Sequence, residues 1–96
     1  MKIIHLKDEK FKDLIKEKVL VDFYANWCGP CKMIASELER VDSTIKTIKV
    51  DVDTFEEIAK EYGVMSTPTL ILFENGKEVK RTIGFIDKEK IERFID

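Results

Sequence analysis

A chain of 96 residues with a net charge of −2, its acidic and basic residues mixed along the sequence, has room for one domain and carries no polybasic face for nucleic acid or a membrane surface. Its hydrophobic fraction of 44% is that of an ordinary globular protein, and no apolar run approaches the roughly 18 residues that span a bilayer. The N-terminus lacks the long apolar stretch of a secretory signal, so the reading is a single domain over residues 1–96 in the cytoplasm, where a close cysteine pair serves redox or metal chemistry more often than it staples structure.

Residues 2–6 predict a short strand, and Asp8 is placed to cap a helix whose apolar face is Phe11, Leu14 and Ile15. Residues 19–25 are nearly all apolar, as expected of a central strand covered on both faces. A helix from about Pro30 sets Ile34, Leu38 and Val41 on one side, and residues 45–52 read as a third strand. Thr54 with Glu57 fits a capping box for a helix carrying Phe55, Ile58, Ala59 and Tyr62 on one face, which Gly63 can end. Residues 69–73 form another buried-strand pattern. Asn75-Gly76 is a hairpin signal, because a type I′ turn needs positive φ twice. Val79, Arg81 and Ile83 alternate as on a half-exposed strand, and Asp87 can start a last helix with Ile91, Phe94 and Ile95 inward. The order β-α-β-α-β-α-β-β-α, with right-handed crossovers, predicts an α/β fold: the first three strands parallel, an antiparallel hairpin at one edge, and helices on both faces.

The only two cysteines stand in Trp27-Cys28-Gly29-Pro30-Cys31-Lys32, between the central strand and the second helix. A sulfur at a helix N-terminus meets unsatisfied N–H groups and the positive end of the dipole, which favour the thiolate, the attacking species in thiol–disulfide exchange. Cys28 is therefore the expected nucleophile. Cys31, a turn inside the helix and less exposed, can resolve the mixed disulfide. Pro30 needs no amide donor in the first turn, and Gly29 leaves room for a bulky substrate. A structural staple is a weak alternative, since a loop of about four residues yields roughly 2 kcal/mol against about 3 for fifteen. A zinc site is weaker still, because the remaining ligand of suitable type, His5, lies far off in sequence.

Asp22 interrupts the most apolar strand, on the side of Leu20 and Tyr24. Buried, it is either a proton acceptor for Cys31 or a salt-bridged structural acid. Lys49, in the adjacent third strand, is within reach of it or is a solvated strand-face lysine. Trp27 is either core or an exposed contact beside the nucleophile. Pro68, between Thr67 and Thr69, begins the fourth strand. Were its peptide bond cis, the Thr67 backbone could pair with an extended substrate. Gly84, before Phe85, reads on its own as a strand end or turn.

Residues 21–32, Val21-Asp22-Phe23-Tyr24-Ala25-Asn26-Trp27-Cys28-Gly29-Pro30-Cys31-Lys32, resemble the active-site segment of the thioredoxin family. Thr67-Pro68-Thr69 resembles that family's cis-proline loop, Phe73-Glu74-Asn75-Gly76-Lys77 its hairpin, Gly84 its groove glycine, and Lys49-Val50-Asp51-Val52-Asp53 its third strand. The resemblance spans essentially the whole chain and implies a thioredoxin fold with a mixed five-stranded sheet. It implies that Pro68 is cis, that Asp22, near Lys49, takes the proton of Cys31, and that Trp27, Gly29, Pro30, Thr67, Pro68 and Gly84 meet the substrate. The Gly-Pro inner pair is similar to that of reducing members. The implied protein is a monomeric protein-disulfide reductase with disulfide-containing protein substrates and no bound cofactor or metal. A thioredoxin reductase, most simply an NADPH-dependent flavin enzyme, would recycle it, though a ferredoxin-dependent or glutathione-linked route would serve the same chemistry. A disulfide oxidant or isomerase, and a non-redox binding module, are the alternatives. Ser36 stands where the family usually has a helix-kinking proline, Tyr24 stands where tryptophan is common, and the helix after the active site and the C-terminus read as short beside the family's.

Overall fold

The computed structural model describes residues 1–96. Its elements are β1 (Ile3–His5), α1 (Phe11–Leu14), β2 (Val19–Tyr24), α2 (Gly29–Arg40), β3 (Lys46–Asp51), α3 (Glu56–Glu61), β4 (Thr69–Glu74), β5 (Lys77–Ile83) and α4 (Lys88–Ile95), in the expected order. They build one five-stranded sheet, β1-β3-β2-β4-β5. β1 and β2 run parallel to β3, β4 runs antiparallel to β2, and β5 is the antiparallel edge.

β2 is at the centre because both of its faces are apolar. Val19, Val21 and Phe23 enter a core with Phe11 and Ile15 from the α1 segment and Ile48, Val50, Ile71 and Phe73 from neighbouring strands. Leu20 points the other way, into a core with Ile34 and Leu38 of α2, Leu70 and Leu72 of β4, and Ile91 and Ile95 of α4. Asp22, in step with Leu20, is thereby carried to the α2 face beneath the cysteine pair. The register sets Asp22 opposite Lys49 on one side and Leu70 on the other.

The turn chemistry of the hairpin is as expected: Asn75 has φ of 55° and Gly76 of 80°. The turn is also docked, its two amides donating to the carbonyls of Lys16 and Ile15. Asp87 caps α4 by accepting from the amide of Lys90, and Glu37 of α2 accepts from the amide of Lys88, which ties the two helices on that face together.

Three local expectations are corrected. Asp8 does not cap α1. The helix is a single turn whose N-cap is Lys10, with no side-chain capping bond, and the burial of Phe11 holds it in place. The Thr54/Glu57 capping box does not form, since the N-cap of α3 is Phe55. Asp51 takes over that turn, its carboxylate accepting from the amides of Asp53 and Thr54 and its carbonyl from that of Phe55. On β5 only Arg81 of the alternating set is half-buried. Val79 and Ile83 stay exposed on this edge strand, where a register shift opposite Leu72/Phe73 leaves Val79 without a partner. Ser36 is accommodated in a helix that runs unbroken from Gly29 to Arg40.

Candidate active site

β2 leads through a short turn into α2, and the N-cap of α2 is Cys28 itself. Pro30 in the first turn costs no hydrogen bond there. Cys28 Sγ accepts the amide N–H of Cys31 at 3.2 Å, one of the four donors a helix start leaves free. The pair is closed as a disulfide, with the Cα atoms 5.2 Å apart. Both cysteines are buried, Cys28 at 4% and Cys31 at 2% exposure, so the expected difference between them is small. What covers Cys28 is the loop before β4. The Thr67–Pro68 peptide bond is cis, and the Thr67 carbonyl oxygen lies 3.5 Å from Cys28 Sγ. Pro68 is buried, and its carbonyl accepts the amide of Gly84, whose φ of +92° favours glycine. Gly29 and Pro30 are exposed beside the sulfurs.

Behind the pair, Asp22 is fully buried, and neither carboxylate oxygen has a hydrogen-bond donor. Lys49 Nζ lies 3.6 Å from Oδ2, near enough for an ion pair and too far for a good hydrogen bond. The same ammonium sits 4.5 Å from the centre of the Tyr24 ring, which helps hold it. Burial pushes the Asp22 carboxyl up to about 6, against the opposing pull of Lys49. A carboxyl poised there can take and return a proton near neutral pH. A cavity of about 220 Å³ opens on this side, lined by His5, Tyr24, Asn26, Cys31, Lys32 and Lys49, among others. That volume holds about seven waters. Sequence distance was a poor guide to His5: β1 pairs with β3 and sets it opposite Lys49, in the same cavity as Cys31.

Trp27 is 73% exposed beside the disulfide, so the contact reading of this residue survives and the core reading does not. Its indole N–H donates to Asp53 Oδ2 at 3.0 Å, and the neighbouring Asn26 amide donates to Asp51 Oδ2 at 3.2 Å. Asp53 was not singled out from the sequence. The available signal was that parallel pairing brings the end of β3 beside the end of β2. Met65, 96% exposed, was also missed. It sits in the loop before the cis-proline, where an apolar residue has no periodicity to mark it.

Two sulfurs that can alternate between a ring and two thiols, with a buried proton acceptor to one side and a free backbone carbonyl to the other, define a thiol–disulfide oxidoreductase. Comparison with known proteins gives the same class and makes it particular. The Thioredoxin family model matches residues 2–96. The thioredoxin of Bacillus subtilis strain 168 is 43% identical over all of this chain and 97% of its own length. That of Chlamydia trachomatis serovar D is 44% identical over 94% of this chain and 92% of its own. Among solved structures, a mutant thioredoxin from Halobacterium salinarum NRC-1 matches with a TM-score of 0.89 at 32% identity, covering 98% of this chain and 88% of that one. The chain belongs to the thioredoxin family, and the Cys28/Cys31 pair is its redox-active disulfide.

Proposed function

We propose that this chain is a cytoplasmic protein-disulfide reductase, acting as a monomeric single domain over residues 1–96. Reduced Cys28 attacks a substrate disulfide, forming a mixed disulfide and releasing one substrate thiolate. Cys31 gives its proton to Asp22, helped by water in the adjoining cavity and by Lys49, and then attacks the Cys28 sulfur. The second substrate thiolate leaves, the substrate has gained two electrons, and the Cys28–Cys31 disulfide has re-formed. A thioredoxin reductase returns the two electrons. Trp27, Gly29, Pro30, Thr67, Pro68 and Gly84 frame the groove in which the substrate lies, with the Thr67 backbone pairing to it. The composition and the absence of any helix long and apolar enough to cross a membrane give no reason to invoke nucleic acid or bilayer partners.

One observation carries the reducing direction. The sole hydrogen-bond donor to Cys28 Sγ is one neutral backbone N–H. Strong oxidants of this chemistry stabilise the reduced thiolate heavily, whereas a single neutral donor stabilises it modestly and leaves the disulfide a poor oxidant. Replacing Cys31 by serine tests the reaction order. Substrates are expected to accumulate as mixed disulfides on Cys28 under mild oxidation, to be released by dithiothreitol, and to be absent when Cys28 is also serine. No trapped partner at all would remove the resolving role from Cys31. A doubly substituted protein that kept full biological activity would instead favour the non-redox binding module.

A further inference from the structure

The side chains around the buried acid form a row that continues beyond Lys49. Pairing of β3 with its two neighbours sets Asp22 opposite Lys49 on one side and His5 opposite Lys49 on the other. Directly opposite residues share a face of the sheet, so the row runs from the fully buried Asp22, through the largely buried Lys49 side chain, to the exposed His5. Tyr24, two residues after Asp22 on β2, lies on the same face. Its ring meets the His5 ring edge-on, with centroids 6.3 Å apart and planes at 89°. The same tyrosine ring has the Lys49 ammonium 4.5 Å from its centre. His5, Tyr24, Lys49 and Cys31 all line the cavity of about 220 Å³.

The ammonium of Lys49 is not locked by its carboxylate. At 3.6 Å from Asp22 Oδ2 it is an ion pair without a good hydrogen bond, carried on a flexible four-carbon stem. Its orientation therefore depends on the Tyr24 ring. That ring is half-buried at the last position of β2 and has the cavity beside it to turn into. The aromatic side chain that stands against it is His5.

We propose that His5 is a positioning residue for the resolving step: its ring braces Tyr24, and Tyr24 holds the Lys49 ammonium against Asp22. The proposal rests on the reductase reading, in which Asp22 takes the proton of Cys31, and adds a residue that governs that acid. Loss of the brace frees Lys49 to swing toward solvent. Asp22 then keeps the burial that pushes its carboxyl up and loses part of the opposing pull, so its titration moves to higher pH. The other titratable groups facing His5 across the cavity are Lys32 and Cys31 of α2, and Asp51 at the end of β3 adds negative charge near Tyr24. Histidine side chains take up a proton in the same pH range as this acid, so a ring that cannot titrate is the control.

The test follows the carboxyl carbon resonance of Asp22 against pH in the oxidised, aspartate-labelled protein. Alongside it runs the pH profile of resolution by Cys31 in single-turnover kinetics. His5→Ala is expected to raise the Asp22 midpoint by about half a pH unit and to shift the rate profile the same way. His5→Phe, which keeps a ring and cannot gain a charge, is expected to stay within about 0.2 pH units of the parent, since an exposed charge is well screened. In a Tyr24→Leu background, adding His5→Ala is expected to move the midpoint no further, because the brace acts through the tyrosine ring. An unmoved midpoint in His5→Ala, a His5→Phe protein that behaves like the alanine variant, or an equal shift with and without Tyr24 overturns the brace. A midpoint that moves while the rate profile stays put removes His5 from the reaction. The carboxyl titration is read without turnover, so these results are separate from a failure of the reductase reading, which would show in the reduction potential.

Discussion

Replacing Cys28 by serine is expected to lower the rate of protein-disulfide reduction, followed with excess dithiothreitol as the recycling reductant, by more than about 1,000-fold. A serine hydroxyl is not ionised by one backbone N–H at neutral pH, and Cys31 cannot take over. It sits inside α2 at 2% exposure, while the Thr67 carbonyl of the groove faces the Cys28 sulfur at 3.5 Å. The geometry therefore makes the two thiols unequal despite their similar burial. A Cys28→Ser protein that retained activity within tenfold of the parent would assign the attack to Cys31 and reverse the roles of the two sulfurs.

Substitution of Asp22 by asparagine is expected to stabilise the oxidised protein at pH 7 and to slow its catalysis. The folded carboxyl titrates near 6 against an ordinary 3.8, mainly because burial disfavours the charge. Below pH 3.8 both folded and unfolded chains hold the proton, and Asp22 carries no penalty. Between 3.8 and about 6 the folded state binds more protons than the unfolded one, so stability falls as pH rises through that window. Above about 6 the penalty is complete, on the order of 3 kcal/mol at about 1.4 kcal/mol per pH unit. Asparagine resembles the protonated acid in shape and is free of that penalty at every pH. Denaturant unfolding should show the variant about 2 to 3 kcal/mol more stable at pH 7, allowing for a Lys49 left without its partner, and level with the parent near pH 3.5. Equal stabilities at pH 7 would show that Lys49 and cavity water already compensate the buried charge. In single-turnover kinetics the same variant should slow resolution by Cys31 more than the first attack by Cys28. Equal slowing of both steps, or of neither, would take Asp22 out of the proton path.

Both effects come from one arrangement whose parts differ in how visible they are in the sequence. The fold was legible where local chemistry and tertiary packing ask for the same thing. Asn75-Gly76 needs positive φ and obtains it, and the apolar run of β2 is covered on both faces. It was less legible where a local motif competed with a long-range partner. Thr54 and Glu57 have the spacing of a capping box, yet Asp51, fixed at the end of β3, holds that turn instead. Asp8 precedes a segment too short to gain from a cap, and the segment is held by Phe11 among Phe23, Tyr62 and Phe73. At the site, the cysteine pair was fixed by its own motif. The proximity of Asp22 to Lys49 followed from the sheet order, and its realised separation of 3.6 Å falls between a hydrogen bond and solvent separation. The positions of His5, Asp53 and Met65 at the site were not legible for a common reason: each reaches it across strands or from a loop, and neither route leaves a period in the sequence.

If Cys28 and Cys31 form a reducing couple, the reduction potential of that couple shows it most directly. Equilibration with dithiothreitol buffers can be read through the fluorescence of Trp27, the one tryptophan of the chain, which lies beside the disulfide. The scale is set by well-known proteins and does not follow from this geometry: about −270 mV for thioredoxin itself and about −180 mV for protein disulfide isomerase. A reducing couple is expected near or below about −250 mV, within reach of an NADPH-fed reductase. A value above about −200 mV would contradict the reducing role and make the same two sulfurs a disulfide donor or isomerase.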